Sequence, residues 1–164
     1  MKLSTSSWVC AGLVLASATA AAGTVNVVFV HPETYTDARE WEDRDSSANL
    51  QTLSDYLQWL GKKYLPADQS LQLDVLNVDL AGRLHASARW GMVRVVGKPL
   101  DWPQIALRYR LESDGKVLAS AQESISDMAY DQHLGFAGGD ALSSEKHMLK
   151  DWFRNRFAKN WDKN

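Results

Sequence analysis

The sequence contains little cysteine, since Cys10 is the only one among 164 residues. Cys10 lies in the apolar N-terminal segment, so a chain cleaved after Ala22 would have no cysteine at all. Such a chain can form no disulfide and carries no thiol nucleophile. We therefore expect the exported protein to be held together by the burial of apolar side chains alone.

Motifs that mark common catalytic and metal sites are also missing. The sequence has no G-x-S-x-G, no glycine loop for phosphate and no H-x-x-x-H pair. The segment from Asp43 begins like a calcium loop, but Ala48 stands where the loop needs Gly and Ser54 where it needs a bidentate Glu. The stretch 131–133 (Asp-Gln-His) offers two metal ligands without a third nearby. We therefore predict no metal, no cofactor and no catalytic residue.

Neither sign of charge dominates the chain. It has 18 basic and 20 acidic residues, for a net charge of −2. A nucleic-acid binder usually shows a basic surface, so we expect no nucleic-acid partner. Residues 33–79 carry ten acids and four bases, whereas residues 82–111 carry six bases and one acid. The two segments either face each other or decorate solvated faces, or the second forms a basic patch for an anionic envelope partner.

The longest apolar run is short and lies near the N-terminus. It reads "WVCAGLVLA" from Trp8 to Ala16, which is too short to cross a bilayer of about 30 Å as a helix. Lys2 precedes it and Ala20-x-Ala22 follows it, the pattern of a secretory signal peptide over residues 1–22. This pattern predicts a periplasmic protein without stable membrane insertion after cleavage; the alternative is an uncleaved anchor. Residues 23–164 contain no linker, which predicts a single domain.

Hydrophobic periodicity predicts an α+β fold. Alternating or β-branched stretches indicate strands at 24–30, 71–80, 93–96, 104–111 and 117–125, and helical periodicity runs from Ser46 to Tyr64 and again after Ser143. The resulting order, β-α-β-β-β-β-α, predicts a four- to five-stranded, largely antiparallel sheet covered by two helices. The stretch 83–92 has no clear period and is predicted to be a loop.

Two details of strand register follow from the alternation. The apolar phase changes by one residue between Val75 and Leu76, which is what a β-bulge produces, although burial on both faces would look the same. A turn at Asp114-Gly115 predicts a hairpin. A three-residue loop there would pair Leu111 with Ala119 and keep the apolar residues on one face, so we prefer it to a two-residue loop.

The last helix has a single apolar half. Its members are Met148, Leu149, Trp152, Phe153 and Phe157, while the other half carries mixed charge. This pattern predicts a helix that docks on the sheet, because a nucleic-acid or membrane arm would carry a basic face. Arg156 is the exception within the apolar half. We expect it to form an ion pair with Asp127 or Asp101, or else to bind a ligand.

Aromatic side chains supply the remaining candidate site residues. Trp59 falls on the polar side of the first predicted helix, where it is either covered by the preceding loop and Trp41 or contacts a partner. Trp102 is held in an Asp-Trp-Pro turn. Exposed Trp rings can also stack on sugars. The candidate ligand- or partner-binding residues are therefore Trp59, Trp102, Asp127 and Arg156.

Four stretches together resemble a known family. They are "DVLNVDLAG", "DWPQIALRYRL", "SDMAY" and "EKHMLKDWFRNRF". Their order and spacing are similar to the bacterial exported-protein family catalogued as domain of unknown function 3016, across nearly the whole segment after residue 22. Ser144 departs from the Tyr expected before Glu145. The resemblance implies a single domain and an envelope location, and it carries no catalytic residues.

These observations favour a binding role over chemistry. We predict a non-enzymatic periplasmic protein with a binding or accessory role in the cell envelope, whose partner is a protein, a glycan or a lipid. The alternative is a hydrolase acting on an envelope polymer, which would need Asp101, Asp127 and a His in one cleft. A structural protein without a small ligand is a third reading.

Overall fold

The computed structural model describes residues 22–39, 43–96, 101–133 and 142–158. The signal segment, Trp41 and Trp161 therefore lie outside the described residues, apart from Ala22. The elements are β1 (Thr24–Phe29), α1 (Asp43–Tyr64), β2 (Gln69–Asp79), β3 (Arg83–Ser87), β4 (Gly91–Val95), β5 (Gln104–Ser113), β6 (Lys116–Ser126) and α2 (Ser143–Phe157). The predicted α+β class is confirmed.

Four strands form the main sheet in the order β1-β2-β5-β6. β1 and β2 are parallel and are connected through α1, whereas the pairs β2-β5 and β5-β6 are antiparallel. The predicted largely antiparallel sheet with two helices is thus confirmed. α1 begins at Asp43, earlier than the predicted Ser46, and ends at Tyr64 before Pro66, as its sequence indicates.

The prediction of a loop over 83–92 is wrong. β3 and β4 pair antiparallel as a separate two-stranded hairpin, with Arg83 opposite Val95 and Ser87 opposite Gly91. No residue of β3 is buried. Because neither face of this strand packs against the core, apolar and polar side chains need not alternate along it. Hydrophobicity alternates along a strand when one of its faces is buried, and β3 has no buried face.

The core lies between the helices and one face of the main sheet. α2 contributes Met148, Leu149, Trp152 and Phe153, which are all buried, as its apolar half predicts. The sheet and α1 supply the other buried apolar side chains, which include Leu53, Leu57, Leu60, Leu71, Leu73, Val75, Val78, Ile105, Leu107, Tyr109 and Leu111. Both helices therefore cover the same face, the arrangement of a two-layer α+β domain.

The predicted bulge is confirmed in β2. The register with β5 shifts between Val75 and Asn77, which brings both apolar phases of the strand to the core. The Val75 carbonyl there accepts the Tyr35 hydroxyl at 2.7 Å and the Val30 N–H at 2.9 Å. Burial raises the pKa of this Tyr35 to about 12.

The predicted pairing of β5 with β6 is confirmed, but the turn that produces it differs. Leu111 lies opposite Ala119 and Tyr109 opposite Ala121. The turn itself has two residues, Asp114 and Gly115, with φ of 50° and 75°. These positive angles match the twist of the flanking strands. A register shift beside Leu111 then supplies the extra residue that the longer loop was expected to provide.

Candidate functional site

Four segments meet at one end of the main sheet, and we call this region the junction. They are the end of β2 (79–82), the approach to β5 (101–103), the segment after β6 (126–130) and the first turn of α2. The Gly82 N–H donates to the Asp101 carbonyl at 2.9 Å, and the Asp127 N–H donates to the Pro103 carbonyl at 3.3 Å. Each of the four stretches that carry the family resemblance contributes to this region.

Two buried carboxylates lie at the junction. Asp37 is 4% exposed and Glu145 is 2% exposed. Asp37 accepts the Leu80 N–H, and Glu145 accepts the Ala81 N–H at 2.7 Å. Burial raises the pKa of Glu145, and the Ala81 N–H and the Arg94 charge only partly oppose that effect. The two carboxylates thus accept hydrogen bonds from the N–H groups of Leu80 and Ala81, which directly follow the last residue of β2.

Arg94 of β4 completes this buried network. Its Nη1 donates to the three carbonyls of residues 80–82, at 3.4, 3.2 and 3.1 Å. Its Nη2 lies 3.6 Å from the Asp37 carboxylate. The segment after β2 is therefore bonded through both its N–H and its carbonyl groups, and Arg94 ties the hairpin to that segment.

Gly82 allows the hairpin to come this close. Its φ is +80°, and a Cβ at this position would lie 2.2 Å from the Val95 carbonyl oxygen. Any other residue would clash with the backbone of β4 and would also adopt an unfavourable φ. The close approach of the two strands at the base of the hairpin therefore requires glycine.

A small cleft opens beside the junction. It has a volume of about 80 Å³ and is lined by Thr36, Asp37, Asp79, Leu80, Gly82, Arg83, Asp101, Trp102 and Gln104. Arg83 donates to Asp101 at 2.9 Å within it. Pockets for small molecules usually measure about 300–1,000 Å³, so this cleft has room only for water-sized occupants. Trp102 forms part of its wall and stays partly buried.

A larger groove separates β6 from α2. Its volume is about 430 Å³, and it is lined by Ser124, Ile125, Ser126, Asp127, Met148, Asp151, Trp152 and Asn155. His147 Nδ1 lies between two of its carboxylates, 4.0 Å from Asp127 and 3.6 Å from Asp151. The groove thus combines an apolar floor from α2 with a rim of negative charge.

β6 forms one wall of this groove and is an edge strand. It is 11 residues long, and within the described residues its only strand partner is β5. Glu123 points inward from it and accepts the Trp152 Nε1–H at 2.9 Å. The second Glu123 oxygen pairs with Arg156 at 2.7 Å. The expectation that Arg156 pairs with Asp127 or Asp101 is therefore wrong, although the predicted ion pair itself exists.

Trp59 lies apart from the cleft and the groove. It is 46% exposed on α1, and none of the residues that line the two cavities belongs to that helix. The Tyr56 ring stacks on it with a centroid distance of 5.5 Å, and Lys63 Nζ lies 4.8 Å from its centroid. Neighbours one turn away on the same helix thus flank the ring, while the proposed cover by Trp41 lies outside the described residues.

The structure separates the residues that a hydrolase would need together. Asp101 lines the small cleft, whereas Asp127 lies in the groove beside His147, and the two cavities share no lining residue. In the described part of the chain, no group of three or more His, Cys, Asp or Glu side chains is placed to hold a metal ion. The four candidate residues are likewise divided among the cleft, the groove, its margin and α1.

Sequence reasoning missed the buried network. Glu145 precedes Leu149 by four residues and Trp152 by seven, so helical spacing already puts it on the apolar side of α2. That signal could have identified a buried carboxylate. Asp37 and Arg94 gave no comparable signal, because their partners come from segments distant in sequence.

The fold and the groove define a class: a two-layer α+β domain with a groove beside an edge strand. Residues 23–155 match the family described as Protein of unknown function (DUF3016), and the chain belongs to that family. The resemblance drawn from the four stretches is confirmed. No curated protein matches the chain. No helix among the described residues is long and apolar enough to cross a membrane.

Proposed function

We propose that this protein is a non-enzymatic binding protein of the cell envelope, which takes an extended segment of a partner protein into the groove between β6 and α2. The observation that carries the proposal is the edge of β6, 11 residues long, beside a groove of about 430 Å³. The N-terminal pattern of a signal peptide supports the envelope location.

Strand addition is the binding mode that this geometry favours. Every second residue of an edge strand presents its backbone N–H and carbonyl outward, so an extended peptide can extend the sheet by hydrogen bonding. Side chains of that peptide on the α2 side would contact Met148 and Trp152, which line the groove. The backbone contacts provide affinity, and the groove provides selection among side chains.

Charge at the groove indicates the chemistry of the partner segment. Asp127 and Asp151 both line it, and Asn155 adds an amide. A peptide with a basic and an apolar side chain two residues apart, so that both face α2, would place its cation beside the carboxylates and its apolar group on Trp152. Opposite charges across an interface favour the correct partner and raise the association rate. The expected ligand is therefore an extended segment with a basic and an apolar residue at positions i and i+2.

The edge also has features that limit indiscriminate pairing. Glu123 directs a carboxylate inward from β6, and the register of the strand is irregular beside Leu111. Inward charges and bulges are devices by which natural edge strands avoid aggregation. The stretch 124–126 borders the groove, so we expect a specific ligand to pair with this part of the β6 edge.

A peptide-display selection against the purified protein tests this proposal. We expect sequences with a basic and an apolar residue two positions apart to be enriched. N-methylation of alternate peptide amides should abolish their binding, because it removes the strand hydrogen bonds. A photo-crosslinking residue at Asn155 should capture the peptide, whereas the same residue at exposed Gln58 of α1 should not. Binding that tolerates N-methylation at every amide, or that persists unchanged in Asp151→Lys, would contradict strand addition in this groove.

A further inference from the structure

We propose that the tip of the β3-β4 hairpin is a contact for an anionic membrane surface. The tip comprises Ala88, Arg89 and Trp90, which connect β3 to β4. This inference concerns a different surface from the peptide groove and does not depend on it, since the groove has no lining residue from the hairpin.

Trp90 is the main observation at the tip. Its side chain is 70% exposed, and the Arg89 guanidinium carbon lies 5.0 Å from its ring centroid. The Trp90 N–H donates to Ser87 Oγ at 3.3 Å, and Gly91 closes the turn with φ of +70°. An indole with an adjacent guanidinium suits the headgroup region of a bilayer, where the ring contacts apolar material and the cation contacts phosphate.

The base of the hairpin holds this tip in place. A two-stranded hairpin alone is marginally stable in water, and β3 has no buried residue. The hairpin is instead fixed by Arg94, which reaches the segment after β2 and the Asp37 carboxylate. Buried charged groups are costly unless they are paired. The contacts of Arg94 therefore serve to fix the base of the hairpin against the domain, and they add no apolar burial to the core. The exposed end of that arm is the tip.

The charge of the segment complements an anionic surface. Residues 80–100 contain three Arg and one Lys and no acidic residue, although the whole chain has a net charge of −2. Among the described cations of this segment, Arg83 pairs with Asp101 and Arg94 lies in the buried network, which leaves Arg89 at the tip. Anionic lipid surfaces attract such segments over about a Debye length.

The shape of the tip favours a bilayer over a protein or a sugar. A specific protein interface needs about 800 Å² from each partner with matching shape, whereas a three-residue turn offers one large side chain. Stacking on a sugar would use the Trp90 ring alone, whereas an anionic bilayer also uses the Arg89 guanidinium that lies over one face of that ring. A fluid lipid surface requires no preformed complementarity, so a small amphipathic tip is sufficient for weak, reversible contact.

Vesicle co-sedimentation tests the proposal. The gene is expressed in full, and the protein is purified in whatever processed form the cell produces. The vesicles contain either phosphatidylethanolamine with phosphatidylglycerol or phosphatidylcholine alone. We expect salt-sensitive binding to the anionic vesicles only. Trp90→Ser should lower the vesicle partition coefficient at least fivefold, and Arg89→Gln about fivefold, which corresponds to about 1 kcal/mol for one basic side chain.

Trp59→Ser is the matched control, because Trp59 is also exposed and also lies beside a cation, Lys63, but on α1. It should keep binding within twofold of the unmodified protein. Circular dichroism melting checks that all variants are folded, which we expect because both rings lie at the surface. Equal binding to both vesicle types, no binding to either, or an equal loss in Trp59→Ser and Trp90→Ser would overturn the proposal.

Discussion

The protein contains two antiparallel hairpins that are stabilised in opposite ways. The β5-β6 hairpin belongs to the main sheet and buries Ile105, Leu107, Tyr109 and Leu111 under the helices. The β3-β4 hairpin buries no side chain from β3 and is fixed by hydrogen bonds and charges at its base. Apolar burial stabilises the whole domain, whereas the buried charges fix the position of one arm. The two hairpins should therefore respond differently to mutation.

The largest effect is expected in the apolar hairpin. Leu107 of β5 is fully buried, so Leu107→Ala should lower the free energy of unfolding by about 2–5 kcal/mol, through lost burial and the cavity left behind. Urea denaturation measures the change. Arg108→Ala is the control, because this neighbouring side chain is exposed, and it should change stability by less than about 1 kcal/mol. A small effect of Leu107→Ala would mean that β5 contributes little to the core.

A smaller and more local effect is expected from Arg94→Met. The Met side chain fills the space but removes the guanidinium that lies beside Asp37 and the donors to the carbonyls of residues 80–82. Because Arg94 is only partly buried, we expect a loss of about 2 kcal/mol. Hydrogen exchange should show faster amide exchange in β3 and β4 with little change in β5 and β6. Uniform acceleration in all strands would contradict the separation of the two hairpins.

Glu145 distinguishes the need for a hydrogen-bond acceptor from the need for a charge. Glu145→Ala leaves the buried Ala81 N–H without its acceptor and should cost about 1–3 kcal/mol. Glu145→Gln retains an acceptor oxygen and should be close to neutral in its effect at pH 7. Denaturant unfolding of the two variants measures the difference. An equal loss in both would indicate that the negative charge itself stabilises the junction.

The pH dependence of stability provides a separate test of Glu145. Its pKa is raised by burial, so between the ordinary glutamate pKa of 4.5 and the raised pKa the folded state binds more protons than the unfolded state. This group therefore contributes most to stability below pH 4.5 and loses that contribution as pH rises through the folded pKa. Glu145→Gln should remove this component from a pH titration of stability, whereas an unchanged profile would show that Glu145 is not its source.

Tyr35→Phe should have a moderate effect on the main sheet. It removes the 2.7 Å hydrogen bond to the Val75 carbonyl at the bulge, which should cost about 1 kcal/mol at neutral pH. The pKa of Tyr35 is raised to about 12, so the stability contribution of its protonated form is lost as pH rises from 10 to 12. Alkaline unfolding should therefore be steeper in the unmodified protein than in the variant.

A small loss of stability is expected from Trp59→Ala. The variant loses the stacking on Tyr56 and the contact with Lys63, which together should contribute about 1 kcal/mol at an exposed site. Thermal unfolding measures this loss, and a binding assay with an envelope partner would detect any role in recognition. A loss of several kcal/mol would instead identify Trp59 as a packing residue.

The difference between the two hairpins also explains which features the sequence predicts. β5 and β6 alternate because one face is buried, so their pairing, including Leu111 opposite Ala119, follows from the residues. β3 has no buried face, so its pattern carries no period. The predicted partner of Arg156 is wrong because Glu123 and Arg156 meet only when α2 packs against the sheet. Nothing in the sequence near either residue indicates that contact.

The bond between Glu145 and Ala81 also has a consequence for the order of folding. These residues are 64 positions apart, and the carboxylate comes from an element near the C-terminus. A chain that emerges N-terminus first can form the β1-α1-β2 unit early, but it cannot complete the anchorage of the β3-β4 arm until α2 has emerged. Arg94 can bond the segment after β2 before α2 emerges, whereas the Ala81 N–H obtains its acceptor only afterwards, so a nascent protein truncated before α2 should exchange this amide rapidly.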